Sequence, residues 1–365
     1  MIKVGIIGCG KIADQHAAQI RRIPDAQIVG VCDKEELMAK QLYDRYDIKT
    51  YFHNVNDFLQ IAQPDVVHIT TPPQSHFELG KLCLEAGRHV YIEKPFTINT
   101  DEAVSLIALA NEKKLKLTVG HNVQFTPAAL QMRELVKQGF LGEKPIHMES
   151  YYCYDLGDPA YAKALFSDQD HWVRKLPGQL LQNVISHGIG KISEFLVGDS
   201  PKVMAMGYTS QMLISIGERD VIDELRVLIV DQNETTAFFT FSTQMRPILH
   251  HFRIYGPQNG LILDDDHQTL IKLRGLKYKS YLEQLIPPYT FAKQYLAGCG
   301  ENIKRLLKRE LHNDKGMKYL FESFYGSILY NDPLPIAYRE ILLTSKIMDE
   351  IFLQVDLRTK QHQPQ

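Results

Sequence analysis

The 365-residue sequence has only five cysteines, Cys9, Cys32, Cys83, Cys153 and Cys299, each standing alone. That excludes both the paired spacing of a zinc site and the density of a disulfide framework, so no metal is expected and reduced thiols in a cytoplasmic protein fit best. A dominant charge is also lacking: 41 Lys and Arg face 43 Asp and Glu, for a formal charge of -2. No global field draws the chain to nucleic acid, which leaves small molecules as the expected partners. Long apolar runs are missing too. The first, Val4 to Ile7, stops at Gly8 and Gly10, short of an export segment, and none is long enough to span a bilayer. There is no internal repeat and no low-complexity segment. What is present is a 44% apolar chain of a length that suggests two domains.

The periodicity changes near residue 122. Before it, short β-branched runs (Lys3 to Ile7, Ile28 to Cys32, Val66 to Thr70, Val90 to Ile92, Leu117 to Val119) alternate with helical patterns. Such apolar runs suit strands buried on both faces, and their alternation with helices predicts a doubly wound parallel sheet over 1–122. After a helix near Pro127 to Gln138, residues 123–365 read as an α+β domain with an open, mostly antiparallel sheet. Its strands are expected at Ile146 to Tyr154, Leu225 to Val230, Thr236 to Phe241 and His251 to Tyr255. One buried helix is expected over Gln179 to Leu196. An open sheet face would be covered by a symmetric partner, so a homo-oligomer, dimer or tetramer, is expected. Lys272 to His312 carries nine Lys or Arg against three Glu. Such a run could meet phosphate or a membrane surface, but is more often a solvated helix face.

The segment Val4-Gly5-Ile6-Ile7-Gly8-Cys9-Gly10-Lys11-Ile12-Ala13 has the G-x-G-x-x-G/A form between a strand and a helix. In that setting Gly8 permits a tight turn and Gly10 lets backbone N–H groups approach a pyrophosphate. Lys11 and Ile12 open a helix whose N-terminus favours negative charge, and Ala13 lets it pack closely on the strand. Asp33 ends the second strand, about twenty residues past Ala13, where an acid receives the ribose hydroxyls. This favours NAD, with NADP as the alternative that Lys34 could admit. Thr70-Thr71-Pro72-Pro73-Gln74-Ser75-His76 follows a strand at the sheet's ligand-binding edge, where it can line the cofactor or simply cap the next helix through Ser75. Glu93-Lys94-Pro95 follows the next strand at that edge.

The glycine fingerprint, the Thr-Pro loop ending in His76, Glu93-Lys94-Pro95 and the later His187 together resemble the Gfo/Idh/MocA family of NAD(P)-dependent oxidoreductases. The resemblance implies a Rossmann domain followed by a substrate and oligomerisation domain, with a substrate cleft between them. The implied reaction is hydride transfer between nicotinamide and a hydroxyl or carbonyl carbon of a sugar, polyol or nucleotide-sugar. It places Lys94 near nicotinamide and substrate, often before a cis proline, with Glu93 beside it. A buried amine there can take or return the hydroxyl proton. His187 and Asn183 match a glycine-rich helix on which the family carries an acid four residues before the histidine; here that acid is Asn183. The substitution shifts proton transfer towards Lys94, with His187 assisting and Asn183 orienting substrate. Trp172 and Arg174 match a segment that leads into this helix and could wall or grip substrate. Asn122 matches the junction strand at the cofactor edge, but Gln124 stands where arginine is common. Two alternatives stay open: a dinucleotide-binding sensor or scaffold without turnover, and an enzyme that cycles tightly bound NAD internally during glycoside cleavage or epimerisation.

Overall fold

The computed structural model describes residues 1–158, 160, 162–163, 171–308 and 316–361. They form two compact units: Met1–Asn122 with Lys175–Gly178 and Gly316–Asp349, and Val123–Arg174 with Gln179–Lys315 and Glu350–Gln365. The run expected as one continuous domain from residue 123 is therefore interrupted twice by segments that pack with the first unit.

The first unit is built on six parallel strands: β1 (Ile2–Ile7), β2 (Ala26–Cys32), β3 (Tyr51–Phe52), β4 (Val66–Ile69), β5 (His89–Ile92) and β6 (Leu117–Val119). Their order is β3-β2-β1-β4-β5-β6, the doubly wound arrangement with its switch point between β1 and β4. Strands β4 and β6 are buried throughout, as strands covered on both faces must be. The strand β3 was not anticipated, since two residues carry no periodicity. The crossover helices are α1 (Lys11–Ile20), α2 (Glu36–Tyr46), α3 (Val55–Ile61), α4 (His76–Glu85) and α5 (Thr100–Glu112). The side chains of Asn54 and Asn99 accept from the first-turn N–H groups of α3 and α5, which fixes where those helices start. The returning helix Met317–Leu329 brings Phe321, Phe324 and Tyr325 into the same core.

The second unit opens with α6 (Pro127–Lys137), capped by Thr126, and holds a seven-stranded sheet in the order β13-β12-β11-β7-β10-β9-β8. Its strands are β7 (His147–Tyr152), β8 (Lys202–Tyr208), β9 (Glu224–Val230), β10 (Thr236–Ser242), β11 (His250–Tyr255), β12 (Asn259–Asp264) and β13 (Thr269–Arg274). All neighbours are antiparallel except β7 and β10. The helix expected as one element over Gln179 to Leu196 is two, Gln179–Val184 and Ser186–Ser193, meeting at Ile185. A continuous helix therefore does not place Asn183 and His187 on one face. Gly188 explains the depth of the second helix: a Cβ there would lie 2.3 Å from Phe239 Cε2, so only glycine allows this approach to the sheet. The other sheet face leaves Met204, Met206, Tyr208 and Phe238 about half exposed.

Candidate cofactor and proton-transfer site

The glycine loop joins β1 to α1 at the carboxyl edge of the first sheet. Gly8 has φ +93°, and a Cβ on it would sit 2.7 Å from Thr71 Cγ2 and 2.8 Å from Thr71 N. No L side chain fits there. Gly10 differs: a Cβ on it would meet nothing within 4 Å, so its backbone faces open space. It is the N-cap of α1 and supplies no side-chain cap, which leaves first-turn N–H groups to a ligand or solvent. Lys11 is exposed, Ile12 half-buried and Ala13 fully buried. Asp33 closes the loop from β2. Its Oδ2 accepts from Cys9 N at 2.6 Å and its Oδ1 from Glu35 N at 2.9 Å, so the carboxylate is aimed while keeping lone pairs for ribose hydroxyls. These residues fit a dinucleotide: an open pyrophosphate approach, an uncapped helix start and an oriented acid.

The Thr-Pro loop lies against this turn. Thr70 Oγ1 donates to the Gly8 carbonyl at 2.6 Å, and Thr71 and Pro72 follow at the edge. Ser75 precedes α4, but its hydroxyl donates to Thr71 Oγ1 at 2.7 Å and to the Pro72 carbonyl, not to the helix; the expected Ser75 cap is not made. His76 is fully buried, with Nε2 2.9 Å from the Thr71 carbonyl and Nδ1 2.9 Å from the Pro95 carbonyl. Its ring is used in tying the Thr-Pro loop to the Lys94-Pro95 turn, whose peptide bond is cis.

Glu93 and Lys94 follow β5. Glu93 is buried, and Gly120 makes room for it: a Cβ on Gly120 would lie 2.6 Å from Glu93 Oε1. Burial alone would push the Glu93 carboxyl up, but the bond from His16, the field of His16 and Lys94 and the Lys94 N–H together hold it below the usual carboxylate range. Lys94 is half-buried; desolvation pulls its ammonium below the ordinary lysine range, and Glu93 opposes that shift. His121 is 3% exposed, and burial lowers its imidazole to about 4. Asn122 is half-buried at the end of this unit.

Sequence reasoning missed the groups behind Glu93. His16 Nε2 lies 2.9 Å from Glu93 Oε1, His16 Nδ1 lies 2.9 Å from His68 Nδ1, and His68 Nε2 lies 2.9 Å from Tyr325 Oη. The signal for His16 was a polar residue on the apolar face of α1, among Ala13, Ala17 and Ile20. Nothing local signals Tyr325, which is 257 residues from its partner.

The remaining expected site residues lie in the second unit. His187 is buried 5.2 Å from the Tyr152 ring, and Asn183 is half-buried in the preceding short helix. Trp172 and Arg174 occupy a 3-10 turn, where the Arg174 guanidinium is ion-paired with Glu218 at 2.5 Å. Gln124 donates to Glu194 Oε2 at 3.1 Å, and Arg133 holds the other oxygen. Part of the basic segment forms the helix Ile286–Leu307, none of whose residues is buried. His251, Asp264 and Asp266 bring ligand-type atoms within 4.8 Å of one another, but each is already paired with a neighbouring side chain.

Residues 2–121 match the family model described as oxidoreductase family, NAD-binding Rossmann fold, of the Gfo/Idh/MocA group. Those residues are a Rossmann domain of the Gfo/Idh/MocA type. The domain binds NAD. The chain is 35% identical over 133 residues to UDP-N-acetylglucosamine 3-dehydrogenase of Acidithiobacillus ferrooxidans, 36% of this chain and 41% of that protein. It is 32% identical over 143 residues to D-glucoside 3-dehydrogenase of Escherichia coli, 39% of this chain and 41% of that protein. These matches span about two fifths of each relative. The solved structure of the Acidithiobacillus enzyme superposes with TM-score 0.74 over 98% of this chain and 99% of that one, at 21% identity, which establishes a shared fold across both domains.

Proposed function

We propose that this oxidoreductase moves a hydride between a nicotinamide dinucleotide, NAD in preference to NADP, and a carbinol or carbonyl carbon of a sugar, polyol or nucleotide-sugar. The observation that carries the reading is the Lys94 amine: it is half-buried, lowered by desolvation, and set beside ionised Glu93 on the sheet edge that bears the dinucleotide loop. Relatives named for oxidation of UDP-N-acetylglucosamine and D-glucosides support the substrate class.

When bound, the nicotinamide supplies the hydride acceptor or donor. Gly8 and Gly10 admit the pyrophosphate to the start of α1, and Asp33 takes the ribose hydroxyls. A carboxylate there would repel a 2′-phosphate, which is the basis for preferring NAD. Lys94 as free amine accepts the substrate hydroxyl proton in oxidation, and as ammonium returns it in reduction. His187 assists and Asn183 orients substrate hydroxyls; Trp172 walls the substrate, while Arg174, held by Glu218, shapes that wall rather than gripping an anion. The exposed face carrying Met204, Met206, Tyr208 and Phe238 pairs with a second copy.

Nicotinamide absorbance is followed while the protein is offered polyols, free sugars and nucleotide-sugars with NAD or NADP. Turnover with one class is expected, and Lys94→Met should lower kcat by about 10² to 10⁴ while NAD affinity stays within about threefold. Silence across all classes despite NAD binding would overturn the reading. Asn183, in place of the family's acid, would then favour a dinucleotide-dependent sensor.

A further inference from the structure

Behind the nucleotide loop, in the core of the first unit, four polar side chains form one buried row. Glu93 comes from the end of β5, His16 from α1, His68 from β4 and Tyr325 from the helix Met317–Leu329. Each contact is 2.9 Å. His16 and His68 are 0% exposed and Tyr325 is 3% exposed. The surrounding wall is aromatic: Tyr91 stacks on His68 at 4.6 Å between centroids, and Phe321 meets both histidines edge-on or tilted within 5 Å. Buried, aromatic surroundings make each hydrogen bond costly to leave unmade, so the proton positions are constrained.

Those positions can be worked out. A neutral imidazole has one N–H and one acceptor nitrogen. If Glu93 is ionised and both histidines are neutral, His16 Nε2–H must donate to Glu93, leaving His16 Nδ1 as acceptor. His68 must then donate from Nδ1, and its Nε2 must accept from the Tyr325 hydroxyl. Every proton points towards the carboxylate. Adding one proton at the Glu93 and His16 end reverses the order: His16 donates from Nδ1 to His68, and His68 donates from Nε2 to Tyr325. The row therefore has two hydrogen-bond directions, set by where that proton sits.

We infer that His16, His68 and Tyr325 are positioning residues, a buried hydrogen-bonded row that holds Glu93 ionised and set against the Lys94 backbone, and so governs how Lys94 exchanges its proton. The inference rests on the role proposed for Lys94. The other groups that act on Glu93 or respond to its charge are His76 from α4, His121 after β6, Tyr91 from β5 and Lys94 itself. Glu93 Oε1 is met by His16 and Oε2 by the Lys94 N–H at 3.1 Å. Without the His16 donor, desolvation would protonate Glu93, and Lys94 would lose the anion that favours its ammonium form.

The test reads Lys94 directly and needs no substrate. The protein is reductively methylated with 13C-formaldehyde, and the Lys94 dimethylamine resonance, assigned by its loss in Lys94→Arg, is followed against pH. In His16→Leu its midpoint should fall by about one pH unit. In His16→Gln, whose amide can still donate to Glu93, it should stay within about 0.3 unit of wild type. Imidazole 15N shifts should show His16 Nε2 carrying a proton towards Glu93 and a single tautomer at His68, which becomes a mixture in Tyr325→Phe. An unchanged Lys94 midpoint in folded His16→Leu overturns the inference, as does a His16 Nε2 that carries no proton while Glu93 is ionised. If His16→Leu does not fold, Tyr325→Phe decides: unmixed wild-type tautomers refute the row. A failure to find turnover with any sugar would count against the proposed reaction and leave this titration readable.

Discussion

Two glycines two residues apart in one loop should respond oppositely to the same methyl group. In Gly8→Ala the new Cβ sits 2.7 Å from Thr71 Cγ2, 2.8 Å from Thr71 N and 2.9 Å from the Thr70 carbonyl carbon. Two of these neighbours are backbone and cannot rotate away. The positive φ of +93° adds about 1 kcal/mol for an L residue, and the overpacking adds about 1 to 3 kcal/mol, for a loss of about 3 kcal/mol of folding stability. Gly10→Ala costs almost nothing in the free protein, because φ -79° and ψ -167° suit any residue and its Cβ meets nothing within 4 Å. Its stability should stay within about 0.5 kcal/mol of wild type. Its methyl fills the pyrophosphate approach, so NAD affinity should fall at least about tenfold, about 1.4 kcal/mol. Urea unfolding of the ligand-free protein and calorimetric NAD titration separate the two. Wild-type NAD affinity in Gly10→Ala, or wild-type stability in Gly8→Ala, would refute this account of the loop.

Replacing Asp33 with Ser removes the carboxylate that would repel a 2′-phosphate, and the NAD to NADP preference, measured as a ratio of dissociation constants, should narrow by about tenfold or more. His121 gives a pH dependence whose sign is fixed by burial: its imidazole is held down to about 4 against an ordinary 6.5. Above pH 6.5 it is neutral in both states and stability is full; as pH falls towards 4, only the unfolded chain takes the proton, so stability declines. Between pH 7 and pH 5 this contributes about 2 kcal/mol, seen as a steeper loss of urea stability in wild type than in His121→Asn; equal slopes would rule it out. On the open sheet, Phe238→Lys should weaken self-association about a hundredfold in sedimentation velocity, with NAD affinity unchanged.

Much of the nucleotide half was legible in the sequence because its determinants are local. A glycine fingerprint between a strand and a helix, an acid at the end of the next strand, and apolar runs alternating with helices each act over a few residues. The positive φ of Gly8 and the aim of Asp33 at the Cys9 N–H follow from them. The second half was less legible. Strands β8, β12 and β13 passed unnoticed, and the break at Ile185 divides what periodicity reads as one helix.

The sequence by itself determined the Rossmann topology, the dinucleotide loop and the Glu93-Lys94-Pro95 turn, because local propensity and strand order are written in short-range pattern. The tertiary structure alone decided that 316–349 returns to the first unit, that His76 clamps two loops, and that His16, His68 and Tyr325 stand in a row behind Glu93. The pairings of that row join residues 52 to 257 positions apart, and burial and hydrogen-bond partnership at that separation depend on the packed chain as a whole.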